Sequence, residues 1–132
     1  MSGEANIGRL LASMSPYQRP GTYVFVVMDT PAHLGIEVLA SVTEAEGLTV
    51  VTTQQDADRA HLAYEFRAGW ITLEVHSDLA AVGLTAAVSV ALADAGISCN
   101  VIAGYFHDHL LVPVERVDDA LEVLRQLSTA VQ

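Results

Sequence analysis

Residues 7–14 place Ile7, Leu10, Leu11 and Met14 at helical spacing, which predicts a short amphipathic helix. Ser15-Pro16 and Arg19-Pro20-Gly21 then read as a turn, because proline and glycine punctuate regular structure. Residues 22–28 (TYVFVVM) are β-branched and aromatic with no internal breaker, the composition of a buried strand. Across residues 36–43, Ile36, Val38, Ala40 and Val42 alternate with Glu37, Leu39, Ser41 and Thr43. Period two favours a half-buried strand there, and Leu39 leaves a helix open as the other reading. Residues 44–47 predict a tight turn with Gly47 at positive φ, and residues 48–53 the returning strand. Residues 54–62 read as a short helix, and extended pieces follow at 64–66 and 70–76, with Ala68-Gly69 between them.

The second half is more regular. After the strand at 70–76, a helix carries Leu84, Val88, Ala91, Leu92 and Ala95 on one stripe. Gly96 suits the left-handed position after that helix and Ile97 the apolar contact beyond it. Residues 97–103 and 109–114 predict two strands joined by a turn at 104–107, with Pro113 at a strand end. A last helix over 116–127 turns Val117, Ala120, Leu121, Leu124 and Leu127 inward. The order from Trp70 is β-α-β-β-α, one strand short of the ferredoxin-like β-α-β-β-α-β unit. The first half reads α-β-β-β-α-β and is expected to supply the missing strand. The fold class is therefore α+β, ferredoxin-like, with antiparallel sheets and no linker between the halves.

Composition narrows the function. The chain has 132 residues and a formal net charge of −10. That balance argues against nucleic acid and against an anionic membrane surface, both of which reward basic patches. All of its basic residues are arginines, so Schiff-base lysine chemistry and the lysine of a phosphate-binding loop are excluded. The lone Cys99 cannot form an internal disulfide, and no basic segment precedes an apolar run, so a cytoplasmic location is expected. The apolar stretch 79–93 is shorter than the roughly 20 residues that span a bilayer.

The segments VHSDLAAVGLTA (75–86), GISCNVIAGYFHDH (96–109) and Val112-Pro113, together with EGLTVV (46–51), carry a recognisable pattern. They resemble a bacterial family of small proteins built from two ACT domains. More distantly, the second half resembles the ACT modules of cellular arginine sensors and of aspartate kinases. The resemblance implies two ACT-like modules, a degenerate one at 1–69 with the N-terminal helix and a second at 70–132. It further implies a homodimer that binds an amino acid or similar metabolite, with no cofactor. By the same resemblance, the effector site falls on the loop His76 to Leu84, with His76, Ser77, Asp78, Ala81, Val82, Gly83 and Leu84, and on the strand around Asn100, Val101 and Ile102; Tyr105, His107 and Asp108 of the adjoining segment complete the candidate ligand-binding residues.

Physical chemistry is compatible with that corner. Backbone N–H groups at a helix start favour a carboxylate, and Asp78, Asp108 or Asn100 can receive an ammonium group. The same residues have a structural reading: Ser77 or Asp78 as helix cap, Gly83 for close packing. His107 and His109 share a face of a strand and can chelate a metal, with His76 or Cys99 as third ligand only if the fold gathers them. A structural role for the cluster is favoured, because no second close pair of ligands exists. No nucleophile elbow, dinucleotide loop or phosphate loop is present, and nothing orients a base toward Cys99. The expectation is a non-enzymatic regulatory protein acting through a module or subunit interface. The alternatives are an assembly module without a ligand and a histidine-based metal protein or enzyme.

Overall fold

Residues 6–29, 35–74 and 83–130 are described by the computed structural model. The elements are α1 (Ile7–Ser13), β1 (Pro16–Met28), β2 (Ala40–Glu44), β3 (Gly47–Thr53), α2 (Gln54–Arg59) and β4 (Arg67–Leu73). They continue with α3 (Leu84–Asp94), β5 (Asn100–Ala103), β6 (Asp108–Pro113), a 3₁₀ turn (Val114–Arg116) and α4 (Val117–Ala130). The element order agrees with the hydrophobic pattern except that the extended piece expected at residues 64–66 is not a strand, and β4 at Arg67–Leu73 stands in place of the two pieces expected there.

A second feature departs from the pattern. The turn expected at residues 15–21 is instead the first part of a long strand, β1. Pro16 opens it, where a missing N–H costs nothing. Gly21 absorbs the second proline-glycine signal at φ +108°, and the Tyr23 hydroxyl donates to the Pro20 carbonyl at 2.5 Å. The chain is distorted there without reversing. Likewise β4 runs straight through Ala68-Gly69. Gly69 is required because a Cβ there would lie 2.0 Å from Val117 Cγ2.

Shorter differences have local causes. Residues 36–38 are not strand; Ile36 turns into an apolar core, and only the Leu39 N–H reaches Val51 O, at 2.9 Å, before β2 begins. Helix α2 stops at Arg59 because His61 takes a left-handed φ of +56°. The Leu62 N–H then reaches Ala57 O at 2.9 Å and the His61 N–H reaches Asp58 O at 3.1 Å, a Schellman termination. Gly96, at φ +74°, ends α3 in the same way, with Ile97 N–H to Leu92 O at 2.9 Å.

The chain divides by contacts into two units, residues 1–19 with 69–132 (unit 1) and residues 20–68 (unit 2). Both β1 and β4 straddle the division. In unit 1 the strands run β1-β4-β6-β5, and the Glu74 N–H donates to Ser15 O at 3.0 Å where β1 opens. The strand missing from the β-α-β-β-α series is thus the start of β1. In unit 2, β1 pairs antiparallel with β3 from Tyr23↔Thr53 to Met28↔Leu48, and β2 pairs with β3 from Ala40↔Val51 to Glu44↔Gly47. The start of β4 lies on the other side of β1.

Each unit has its own core. In unit 1, Leu10, Leu11 and Met14 of the N-terminal segment join Ile71 and Leu73 of β4 and Leu110 and Val112 of β6. Leu84, Val88 and Leu92 of α3 and Val117, Leu121 and Leu124 of α4 close over them. At about 1.5–3 kcal/mol per fully buried large apolar side chain, this cluster is the main stabilising element of the unit. Unit 2 has a smaller core of Val24, Val26, Met28, Ile36, Val50 and Ala57.

Candidate functional site

His76, Ser77, Asp78, Ala81 and Val82 lie outside the described residues. The remaining site residues expected from the sequence fall in unit 1 and separate into two groups. Gly83 is the N-cap of α3 at φ +106°, makes no side-chain cap bond, and accepts the Ala87 N–H at 2.8 Å. Leu84 beside it is a core residue.

The second group sits on the β5–β6 hairpin. Register pairs Asn100 with Leu111, Val101 with Leu110, Ile102 with His109 and Ala103 with Asp108. Side chains alternate across a strand, so Asn100 and Ile102 share one face with His109 and Leu111. Val101 points the other way and packs on the helix-side core. The Asn100 carboxamide donates to Leu111 O at 3.4 Å. In the connecting turn the Gly104 N–H donates to His107 O at 2.9 Å, and Tyr105 and Phe106 are 65% and 64% exposed with their rings edge-to-face.

His109 has partners far away in sequence. Its Nδ1 lies 3.2 Å from Trp70 Nε1 and 3.0 Å from Thr72 Oγ1, and its ring meets the Trp70 indole edge-on at 5.4 Å. Trp70 Nε1 is an obligate donor and has two acceptors at 3.2 Å, Thr72 Oγ1 and His109 Nδ1; with its proton on Nε2, the neutral imidazole can accept at Nδ1. The Arg19 guanidinium stands 5.3 Å from the Trp70 ring centroid. Burial holds His109 below the ordinary histidine range, the charge of His107 adds to that, and Asp108 opposes it. Sequence spacing gave no route to this cluster, because Trp70 and Thr72 read only as strand residues.

His107 and Asp108 are less satisfied. His107 Nδ1 is enclosed and has no hydrogen-bond partner among the described residues. Asp108 is half-buried, and burial raises its carboxyl above the ordinary aspartate value despite the nearby imidazoles of His109 and His107. No ion pair holds it among the described residues. No group of three or more His, Cys, Asp or Glu side chains converges on a metal-sized site among those residues. Burial pushes the Cys99 thiol up to about 11, so it stays protonated and unreactive at neutral pH. The arrangement provides acceptors and aromatic surface, and among the described residues Cys99 is not an activated nucleophile.

Comparison with known proteins fits this geometry. Two family models, each described as an ACT domain, match residues 2–69 and 65–126. No match was found among curated proteins. A solved Vibrio cholerae protein, described as of unknown function and a possible transport protein, is 44% identical over 92% of this chain and 94% of its own, with a TM-score of 0.83. The regulatory subunit of Thermus thermophilus aspartate kinase, in its ligand-free form, shares the fold at TM-score 0.65 and 12% identity, over 89% of this chain and 97% of that one. An Agrobacterium tumefaciens protein shares it at TM-score 0.67 and 18% identity, over 87% and 89% of the two chains. The chain belongs to the ACT domain family and consists of two ACT domains in tandem.

Proposed function

We propose that this protein is a non-enzymatic regulator that binds an amino acid at the β5–β6 hairpin of unit 1. ACT domains are regulatory modules that generally bind amino acids, which supplies the ligand class. The observation that carries the reading is the pair His107 and Asp108, an enclosed ring nitrogen without a partner beside a half-buried carboxyl without an ion pair. Buried polar groups are normally satisfied, and a protonated amine offered to Asp108 would offset the cost of burying that carboxyl. The loop from His76 to Leu84 completes the site in this proposal, with Asp78 as a second acceptor. The output is a change in how two copies of the chain pack in a cytoplasmic homodimer, with no nucleic acid, membrane or cofactor involved.

A thermal-shift screen of the proteinogenic amino acids at millimolar concentration tests this. At least one should raise the melting temperature by linkage, and Asp108→Asn should remove that rise while leaving the unliganded melting point nearly unchanged. If no amino acid stabilises the protein, the assembly reading without a ligand replaces this one. A shift that survives Asp108→Asn and disappears in Asp78→Ala would move the ammonium contact to the β4–α3 loop.

A further inference from the structure

Helix α3 has no polar side. Residues 84–93 carry no charge, and the face turned away from the core of unit 1 presents Ala86, Val90 and Ala93, with Val90 59% exposed. Helix α4 beside it has the ordinary pattern, with Asp118, Asp119, Glu122 and Arg125 outward and Val117, Leu121 and Leu124 inward. A helix that is apolar all round is normally buried on every side. Along the flank of α3 a shallow groove of about 410 Å³ is lined by Ala91, Asp94, Ala95, Val123, Gln126 and Leu127.

The ends of α3 are charged in the wrong sense for a helix standing alone. At the N-terminus, Gly83 makes no side-chain cap bond and the first turn has no acidic residue. At the C-terminus, Asp94 stands where the helix dipole disfavours a carboxylate, and the last turn has no basic residue. Arg116 donates to Ala95 O at 3.3 Å, but its guanidinium pairs with Asp119 at 2.9 Å. Asp94 has no ion pair among the described residues.

An antiparallel copy of the same helix answers both deficits. Positions 86, 90 and 94 are four apart and lie along one side of α3. A two-fold axis at Val90 sets this residue against Val90 of a second copy, and Ala86 of each copy against Asp94 of the other. Each Asp94 then stands beside the uncapped first turn of the opposite helix, at the favourable end of that dipole. The small side chains of Ala86 and Ala93 let the two helices approach closely. Charge selects the same face: with −10 on each copy, association through acidic surface such as the outside of α4 is opposed, and an uncharged face is favoured. A basic partner would be drawn to α4 instead.

We propose that α3, with the groove beside it, is a self-association surface on which a second copy of this chain packs its own α3 in antiparallel orientation. The contact runs along about 16 Å of helix, which places it among the smaller interfaces, with a dissociation constant in the micromolar range. This inference gives the homodimer of the functional reading its surface. It rests on that reading only for there being a dimer, and it needs no bound amino acid.

The test is sedimentation analysis of the whole protein without added amino acid. A monomer–dimer equilibrium should appear between about 1 and 500 µM. Val90→Arg, which would bury a charge at the axis, should weaken it about tenfold or more while the far-UV circular dichroism stays that of the parent. Asp94→Asn should weaken it about threefold, because each dimer loses two contacts between a carboxylate and a helix N-terminus. Asp118→Asn removes the same charge from α4 and should leave association unchanged or stronger, which separates the local role of Asp94 from overall repulsion. In a Cys99→Ser background, Val90→Cys should be joined into covalent dimers by a short bismaleimide. A chain that stays monomeric to about 500 µM overturns the proposal and leaves α3 to a foreign partner. It is overturned equally if Val90→Arg associates as the parent does, if Asp94→Asn is no weaker than Asp118→Asn, or if Val90→Cys forms no cross-link. An amino-acid screen without a hit would remove the functional reading and leave this surface standing.

Discussion

The two units solve the same packing problem with different means. Unit 1 covers its sheet with α1, α3 and α4, and its core runs from Leu10 through Ile71 and Leu92 to Leu124. Unit 2, among the described residues, has only the six-residue α2 over Val24, Val26 and Val50. A helix that short has almost no stability of its own and depends on its cap and on Ala57 seated in the sheet. The difference in core size does not decide which unit tolerates an unsatisfied group: unit 1 encloses His107 Nδ1 without a partner among the described residues, and unit 2 does the same with Thr52 Oγ1.

Substitutions at Gly69 of β4 and Gly21 of β1 break this comparison most strongly. Gly69→Ala would drive a Cβ to 2.0 Å from Val117 Cγ2, so α4 must shift. Overpacking at this depth should cost about 3 kcal/mol or more, read as a lower urea midpoint at unchanged m-value. Adding Val117→Ala should recover part of the loss, and a purely additive double variant would show that the contact is not the cause. Gly21→Ala meets only the Tyr23 side chain, from 3.4 Å outward, so its cost is the strain of a positive φ, about 1–2 kcal/mol. If the two substitutions prove equally costly, the contrast between a tightly packed glycine in unit 1 and a loosely packed one in unit 2 is wrong.

A smaller effect concerns α2 alone. Thr53 accepts the Asp56 N–H at 3.1 Å as the helix cap, and Thr53→Ala should cost about 1 kcal/mol. Hydrogen exchange should accelerate at residues of α2 and β3 while α3 and α4 keep their protection.

The smallest expected effect is a pH dependence of unit 1. His109 is held neutral, its folded-state pKa lying below the ordinary value of 6.5. Above that value it is neutral in both folded and unfolded chains and contributes no pH dependence. As pH falls through it, the unfolded chain takes up the proton first, so stability decreases until the lower folded value is passed. The groups facing His109 set the sign: the Trp70 N–H and Thr72 hydroxyl on Nδ1, the charges of His107 and Arg19 against protonation, and Asp108 in favour. Melting temperature measured downward from neutral pH should fall, and His109→Gln should flatten the curve. Asp108 acts in the opposite sense at lower pH, because its raised pKa makes the folded state the better proton acceptor.

Local chemistry was legible in the sequence where one short segment decides the outcome. Gly96 and Ile97 end α3 by the termination their spacing indicates, and Val117, Ala120, Leu121 and Leu124 face inward along α4 as their period requires. What was not legible depends on long-range partners. Pro16, Pro20 and Gly21 have the composition of a turn, and only pairing with strands elsewhere in the chain keeps them extended. His61 gave no sign of ending a helix, since glycine is the usual residue for that geometry. The hairpin residues Asn100, Ile102 and Asp108 could be named in advance, but the Trp70–Thr72–His109 cluster joins residues too distant for spacing to connect.

The straddling of β1 and β4 also bears on how the molecule assembles. Residues 20–68 form a contiguous unit that can begin folding as soon as it is made, whereas unit 1 needs residues 1–19, made before unit 2, and residues 69–132, made after it. Its sheet can be completed only after the whole of unit 2 has been inserted into the loop between them, a closure that adds chain entropy to the barrier and raises contact order. A ribosome-bound chain stopped short of α4 should therefore expose the apolar faces of α1 and β4, the stage at which a chaperone would recognise it.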